Sequence, residues 1–596
     1  MKILKVCFLY QFLFISIILG VSTSLCAQQK ISLNGNWPFI TDPFDNGYFN
    51  YRLQPRSDGY FENKKPSSPR DLIEYEFSDK HTLMVPGDWN SQRDDLFFYE
   101  GTVWYKKDFS INKEANKRYF LRFGAANYKT RVYLNGNKLG EHEGGFTPFE
   151  FELGENIQNG KNTLVVYVNN DRHPDFVPTV NTDWWNYGGI TRDVELWVRP
   201  KNFIEDVRVN LSKNGKSIQV ELKVNQLEGK NGIVKISFPE LGLKEEVTIQ
   251  DNRAKVSFNF PKKAKRWDIN EPNLYTFTAK YESDTYTDTF GFRTIETQHT
   301  DILLNGKSIL LKGISIHEEA PLRDGRAWSR DDAKILLQWA KNLGCNYVRL
   351  AHYPHNEHIV KLADEIGMLV WSEIPVYWTI NWESEVTLAN AKNQLAEMIE
   401  RDKNRASVII WSVANETPRG DARLHFLKEL IAEVKKHDTT RLISAATEIH
   451  YDGKKQIIDD TLGHYLDIIG LNEYFGWYGG KPEDMHSISF INTFDKPLII
   501  SEFGAGALFG NHGKKDQRWT EEYQVNVYEN QVKNLQKIPS LRGMSPWILK
   551  DFRSPRRPLY GIQDWYNRKG LVSERGEKKA AFFILRDFYN SWELKK

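Results

Sequence analysis

From residue 297 to the C-terminus, short apolar runs alternate with amphipathic helical stretches, and no other feature of the chain restricts its fold as much. The clearest run is Val408-Ile409-Ile410-Trp411-Ser412-Val413-Ala414. β-Branched and aromatic residues follow one another there without polar alternation, as in a strand buried on both faces. Further strands are expected at 312–317, 345–350, 368–373, 442–445, 468–472, 497–502 and 543–547. Helices are expected at 330–343, 357–366, 385–402, 421–437, 521–536 and 578–589, with Ser329 as an N-cap and Gly367 as a stop. About eight β/α units in about 300 residues predict a (β/α)8 barrel of the triosephosphate isomerase type over 297–596.

The region before it has a period of two. Residues 28–200 contain alternating runs such as Asn162–Val168 and Asp193–Val198, and a hairpin signal at Asn135-Gly136. A jelly-roll β-sandwich is expected there, with residues 43–82 as a long surface loop. Residues 201–296 hold about seven shorter strands, the pattern of an immunoglobulin-like β-sandwich.

The first 27 residues read as a signal peptide: Lys2 and Lys5, an apolar run from Val6 to Val21, then Cys26-Ala27-Gln28. Of three cysteines, only Cys345 lies beyond that segment, so the mature chain has no internal disulfide. Export to a bacterial periplasm fits this usage, and no stretch of the mature chain is apolar enough for a membrane span. The net charge is +2, which gives no reason to expect a nucleic acid partner. The 18 Trp residues suit stacking on sugar rings, and large β-sheet cores consume aromatics as well.

Two of the barrel strands end in a carboxylate, one at Asn415-Glu416 and the other at Ser501-Glu502. A charge at the end of a buried strand is costly unless the strand opens into a site, and barrel enzymes place their sites at the C-terminal strand ends. Two carboxyls at one mouth suit glycoside hydrolysis, one as nucleophile and one as acid/base. Glu502 is assigned as nucleophile and Glu416 as acid/base.

Four stretches carry a resemblance: Trp411-Ser412-Val413-Ala414-Asn415-Glu416, Ser501-Glu502-Phe503-Gly504, Arg349-Leu350-Ala351-His352-Tyr353-Pro354, and Asn472-Glu473-Tyr474-Phe475-Gly476-Trp477-Tyr478. On these the chain resembles glycoside hydrolase family 2, and within it the β-glucuronidases, over nearly its whole mature length. The resemblance implies an exo-acting retaining enzyme without cofactor or metal. Its substrate would be a uronic-acid-containing oligosaccharide or a glucuronide conjugate, and a homo-oligomer is a candidate state, since related enzymes are often dimers or tetramers. It assigns sugar contacts to His352, Asn415, Tyr474, Tyr478 and Trp547. It places Asn567 and Lys569, in Asn567-Arg568-Lys569-Gly570, on the uronate carboxylate, where an ammonium and an amide donor suit that group. Asp183 is expected to accept from sugar hydroxyls.

Gln563 departs from the pattern, since the enterobacterial type has an arginine there. One of Arg553, Arg556 and Arg557 is expected to replace it; otherwise the subsite suits a galacturonide or a substituted uronide. A β-galactosidase, a β-galacturonidase and a carbohydrate-binding protein with an inactive barrel are the competing readings. The connection from Glu373 to Glu385 is short, which predicts an open site. His317, Glu318 and Glu319 are further candidates for its lining. His352, His355 and His358 have a spacing compatible with a metal, but no partner set completes it.

Overall fold

The computed structural model describes residues 28–56, 68, 70–71, 75–227, 229 and 231–594. The expected signal peptide and much of the loop over 43–82 lie outside the described residues. No described helix is long and apolar enough to cross a membrane.

The N-terminal unit is a sandwich of a six-stranded and a four-stranded sheet. Trp37, Val103, Tyr105, Phe123, Val132, Val166 and Leu196 fill the space between them. Lys129–Leu134 and Asn137–Glu143 are joined by Asn135 and Gly136, both at positive φ (52° and 84°). That backbone matches the right-handed twist of the strands it connects. A second sandwich of three and four strands follows and closes on its own core, which includes Val220, Ile236, Phe238 and Phe277.

The C-terminal unit is a closed barrel of eight parallel strands. These are β1 (Leu311–Ile316), β2 (Tyr347–Leu350), β3 (Leu369–Glu373), β4 (Val408–Asn415), β5 (Leu442–Thr447), β6 (Ile468–Glu473), β7 (Leu498–Phe503) and β8 (Leu541–Met544). All eight residues of β4 are buried, as an uninterrupted apolar run requires. The helices are α1 (Arg330–Asn342), α2 (Glu357–Ile366), α3 (Glu385–Asp402), α4 (Asp421–His437), α5 (Glu521–Leu535) and α6 (Ala580–Ser591). Ser329 and Asp332 form a capping box at the start of α1. Gly367 ends α2 at φ 68°, where a Cβ would also meet the Ile269 carbonyl oxygen at 2.3 Å.

The alternation is incomplete at two connections. After β5 and β6 the described chain forms only the short 3-10 turns Thr461–Tyr465 and Pro482–Ser487, with a small sheet of His450–Asp452, Lys455–Ile458 and Ser489–Asn492. These stretches carry Gly453, Gly476, Gly479, Gly480, Pro482 and Pro497, which are poor helix formers.

The first sandwich lies against the barrel mouth. Arg192 pairs with Glu318 at 3.1 Å and donates to the Pro354 carbonyl at 2.6 Å. Arg326 also donates to Glu318, at 3.2 Å, and Phe146 stacks on Tyr353 with ring centroids 4.1 Å apart. Glu318 therefore serves the junction between the units rather than the site.

Candidate active site

Glu416 follows the last residue of β4, and Glu502 lies near the end of β7. Glu416 takes a left-handed backbone conformation, φ 49°, and its amide donates to the Ala446 carbonyl at 3.0 Å. That conformation costs a non-glycine residue about 1–2 kcal/mol, a strain that clusters at functional positions. The Glu416 carboxyl accepts from two neutral donors: the Asn472 amide (2.9 Å) and the Trp378 indole N–H (2.8 Å). Burial, and next the neighbouring Glu502 carboxylate, raise its pKa above the usual carboxylate range; the two donors oppose this.

Glu502 meets a full charge. Its Oε1 accepts from Arg349 Nη1 at 2.8 Å and its Oε2 from the Tyr474 hydroxyl at 2.7 Å. Arg349 is fully buried on β2 and distributes its donors among Glu502, Glu373, Asn415 and the Ser501 carbonyl. Burial would raise the Glu373 carboxyl, but the Arg349 charge and the His352 hydrogen bond outweigh it and bring it to about 2. His352 contacts Glu373 through Nδ1 at 2.7 Å, and its Nε2 lies 3.7 Å from Glu502. Its ring stacks on Trp547, centroids 4.8 Å apart. Asn472 links Glu416 to the neighbour of Glu502, since its amide donates to Glu416 and its carbonyl accepts from Ser501 Oγ at 2.7 Å. Asn415, although an expected sugar contact, accepts from Arg349 at 2.7 Å.

A second cluster involves the loop after β8. Lys569 is 3% exposed, yet its only described hydrogen bond from Nζ goes to the Tyr478 hydroxyl, at 2.8 Å. The ammonium also faces the rings of Tyr478 and Tyr474, 4.8 and 5.4 Å from their centroids. No carboxylate pairs with it among the described residues. Asn567 lies beside it and donates to Asp183 at 3.1 Å. Arg557 holds Asp183 as well, through Nε at 3.0 Å and through a second, shorter contact from Nη2. Ser554 Oγ adds a fourth donor at 2.6 Å. A carboxylate offers about four acceptor sites. Asp183 is therefore filled by protein donors and anchors this wall, instead of presenting free oxygens to a sugar.

Of the three arginines expected to stand in for Gln563, only Arg557 joins this cluster. Arg553 pairs with Asp324 and covers the Tyr566 ring, and Arg556 donates to Asn181. His317 bonds Tyr353 at 3.1 Å and packs against Trp547, whereas Glu319 accepts from Tyr187. The histidines at 352, 355 and 358 do not converge: His355 contacts the Ala351 carbonyl and His358 lies near Asp193. Sequence reasoning missed Trp378 and assigned no role to Arg349 or Asn472, although both stand in the quoted stretches.

An eight-stranded barrel with a neutral-donor carboxyl and an arginine-paired carboxylate at its mouth has the parts of a glycoside hydrolase. The chain belongs to glycosyl hydrolase family 2: residues 295–594 match the family's TIM barrel domain, 31–200 its sugar binding domain, and 202–293 a further family 2 region. A putative β-glucuronidase of Formosa agariphila is 30% identical over 565 residues, covering 85% of this chain and 67% of that one. Among solved structures, a β-glucuronidase from an uncultured Clostridium superposes with a TM-score of 0.79 at 27% identity, covering 95% of this chain and 98% of that chain. A β-galacturonidase from Eisenbergiella tayi gives 0.80 at 26%, covering 96% and 98%.

Proposed function

We propose that the chain is a retaining, exo-acting β-glucuronidase that releases terminal β-linked glucuronic acid from an oligosaccharide or a conjugate. One observation carries the sugar assignment. A buried ammonium without a carboxylate partner is expensive. Lys569 is such a group among the described residues, and a uronate carboxylate would supply the missing charge. Asn567 beside it, and Arg557 on the same wall, extend the donor set. A neutral hexose would leave Lys569 uncompensated. The relatives and structural neighbours named as β-glucuronidases support the same reading.

In the reaction, a Glu502 oxygen attacks the anomeric carbon as the glycosidic C–O bond breaks. Glu416 gives its proton to the departing oxygen. The glycosyl ester neutralises Glu502, which removes one cause of the raised Glu416 pKa. Glu416, now a carboxylate, takes a proton from water as that water attacks the anomeric carbon; Glu502 leaves as a carboxylate. Arg349 and Tyr474 hold the attacking carboxylate in place. The leader-like residues 1–27 support export, with the periplasm as the place of action; fractionation of expressing cells and N-terminal sequencing of the mature chain would test it.

The direct test compares p-nitrophenol release from the β-glucuronide, β-galacturonide and β-galactoside. Turnover of the glucuronide, lost in Lys569→Ala, is expected. A preference for the galacturonide would replace the sugar and keep the mechanism. Galactoside turnover that survives Lys569→Ala would overturn the uronate assignment.

A further inference from the structure

We propose that Trp378 and Arg556 form a leaving-group subsite for a sugar that carries an anionic substituent, either a carboxylate or a sulfate ester. This rests on the glucuronidase reading and names the other half of its substrate. Trp378 lies in the β3–α3 connection and is half-buried. Its indole N–H donates to Glu416 at 2.8 Å, so the ring borders the group assigned to protonate the leaving oxygen. The Arg556 guanidinium lies 5.0 Å from the centroid of that ring. Its Nη1 donates to Asn181 Oδ1 at 2.5 Å.

The neighbouring arginines already have carboxylates, Arg557 on Asp183 and Arg553 on Asp324. Arg556 has none among the described residues. An exposed arginine alone would be ordinary surface. This one lies on the Trp378 ring and bonds Asn181, one side chain away from the acid, with a planar fork suited to bidentate pairing with an oxyanion.

The experiment compares kcat/KM on p-nitrophenyl β-glucuronide with that on matched glucuronyl disaccharides. Their reducing sugars would be neutral, sulfated or carboxylated, and wild type would be run beside Arg556→Gln. Wild type should prefer at least one charged disaccharide over the neutral one by about tenfold, the usual worth of a charge-assisted bond. Arg556→Gln should abolish that preference, with nitrophenyl glucuronide kcat/KM serving as the reference within each enzyme. The preference should also shrink in high salt. Equal turnover of neutral and charged disaccharides by wild type, or a preference that survives Arg556→Gln, would overturn the subsite. Failure to cleave nitrophenyl glucuronide at all would instead overturn the underlying activity.

Discussion

Glu416 and Glu502 are the same side chain at corresponding places, the mouth ends of two barrel strands, yet the protein surrounds them differently. Glu416 receives an amide and an indole N–H, neither charged. Glu502 receives a guanidinium and a phenol. Arg349 makes the distinction, because it bonds Glu502 and Asn415 but makes no described bond to Glu416. Arg349 gives Glu502 an ion-pair partner, whereas burial and the Glu502 charge raise the pKa of Glu416. The difference in role follows from where one arginine is aimed.

The most severe way to break this pairing is Glu502→Gln. It removes the attacking oxygen and should lower kcat on the order of 10^4-fold or more, as loss of a nucleophile does elsewhere. Added azide should not give a retained glycosyl azide, since that product needs an intact nucleophile; in Glu502→Ala, which leaves room for azide on the nucleophile's face, an inverted glycosyl azide would confirm which carboxylate attacks. Glu416→Gln should cost less, about 10²–10⁴-fold on a poor leaving group. Dinitrophenyl glucuronide, which needs little protonation, should lose least at the first chemical step. If both leaving groups suffered equally in a burst-phase measurement, the acid assignment would fail. Lys569→Ala should lower kcat/KM for the glucuronide roughly 10²-fold, because truncation of one partner of a buried charge pair costs about 2–5 kcal/mol. The two glutamates would keep their contacts in that variant, so the shape of its pH profile should be retained.

What the sequence disclosed, and what it hid, divides along the range of the interactions. The run at Val408–Ala414 announces a buried strand by local composition, and a carboxylate at its end is anomalous enough to be noticed. Ser329 and Gly367 mark helix ends through bonds to near neighbours. Arg349 reaches residues up to 153 positions away, so its place beneath Glu502 could not be read from its surroundings in the chain. Asp183 carries no local sign that Arg557, 374 residues on, would occupy it. Choosing among Arg553, Arg556 and Arg557 required the path of their loop. Trp378 had no legible signal, because an isolated tryptophan after a strand is as readily a core residue.

The finest test concerns that tryptophan. Trp378 donates to Glu416 and, by favouring the charged form, works against the burial and the Glu502 charge that raise the pKa. In Trp378→Phe the ring volume is largely kept and the donor is lost, so the Glu416 pKa should rise further. Glycosylation of Glu502 requires Glu416 protonated; the rate falls as pH rises through that pKa, which defines the basic limb. The basic limb of kcat/KM for p-nitrophenyl glucuronide should therefore move to higher pH. The shift should be below about one unit, since a neutral hydrogen bond contributes about 1 kcal/mol and one unit corresponds to about 1.4 kcal/mol. Asn472→Ala removes the other neutral donor and should move the same limb in the same direction. A limb that stays in place in both variants would mean that Glu416 is not the group being titrated, and the contrast between the two carboxyls would lose its chemical meaning.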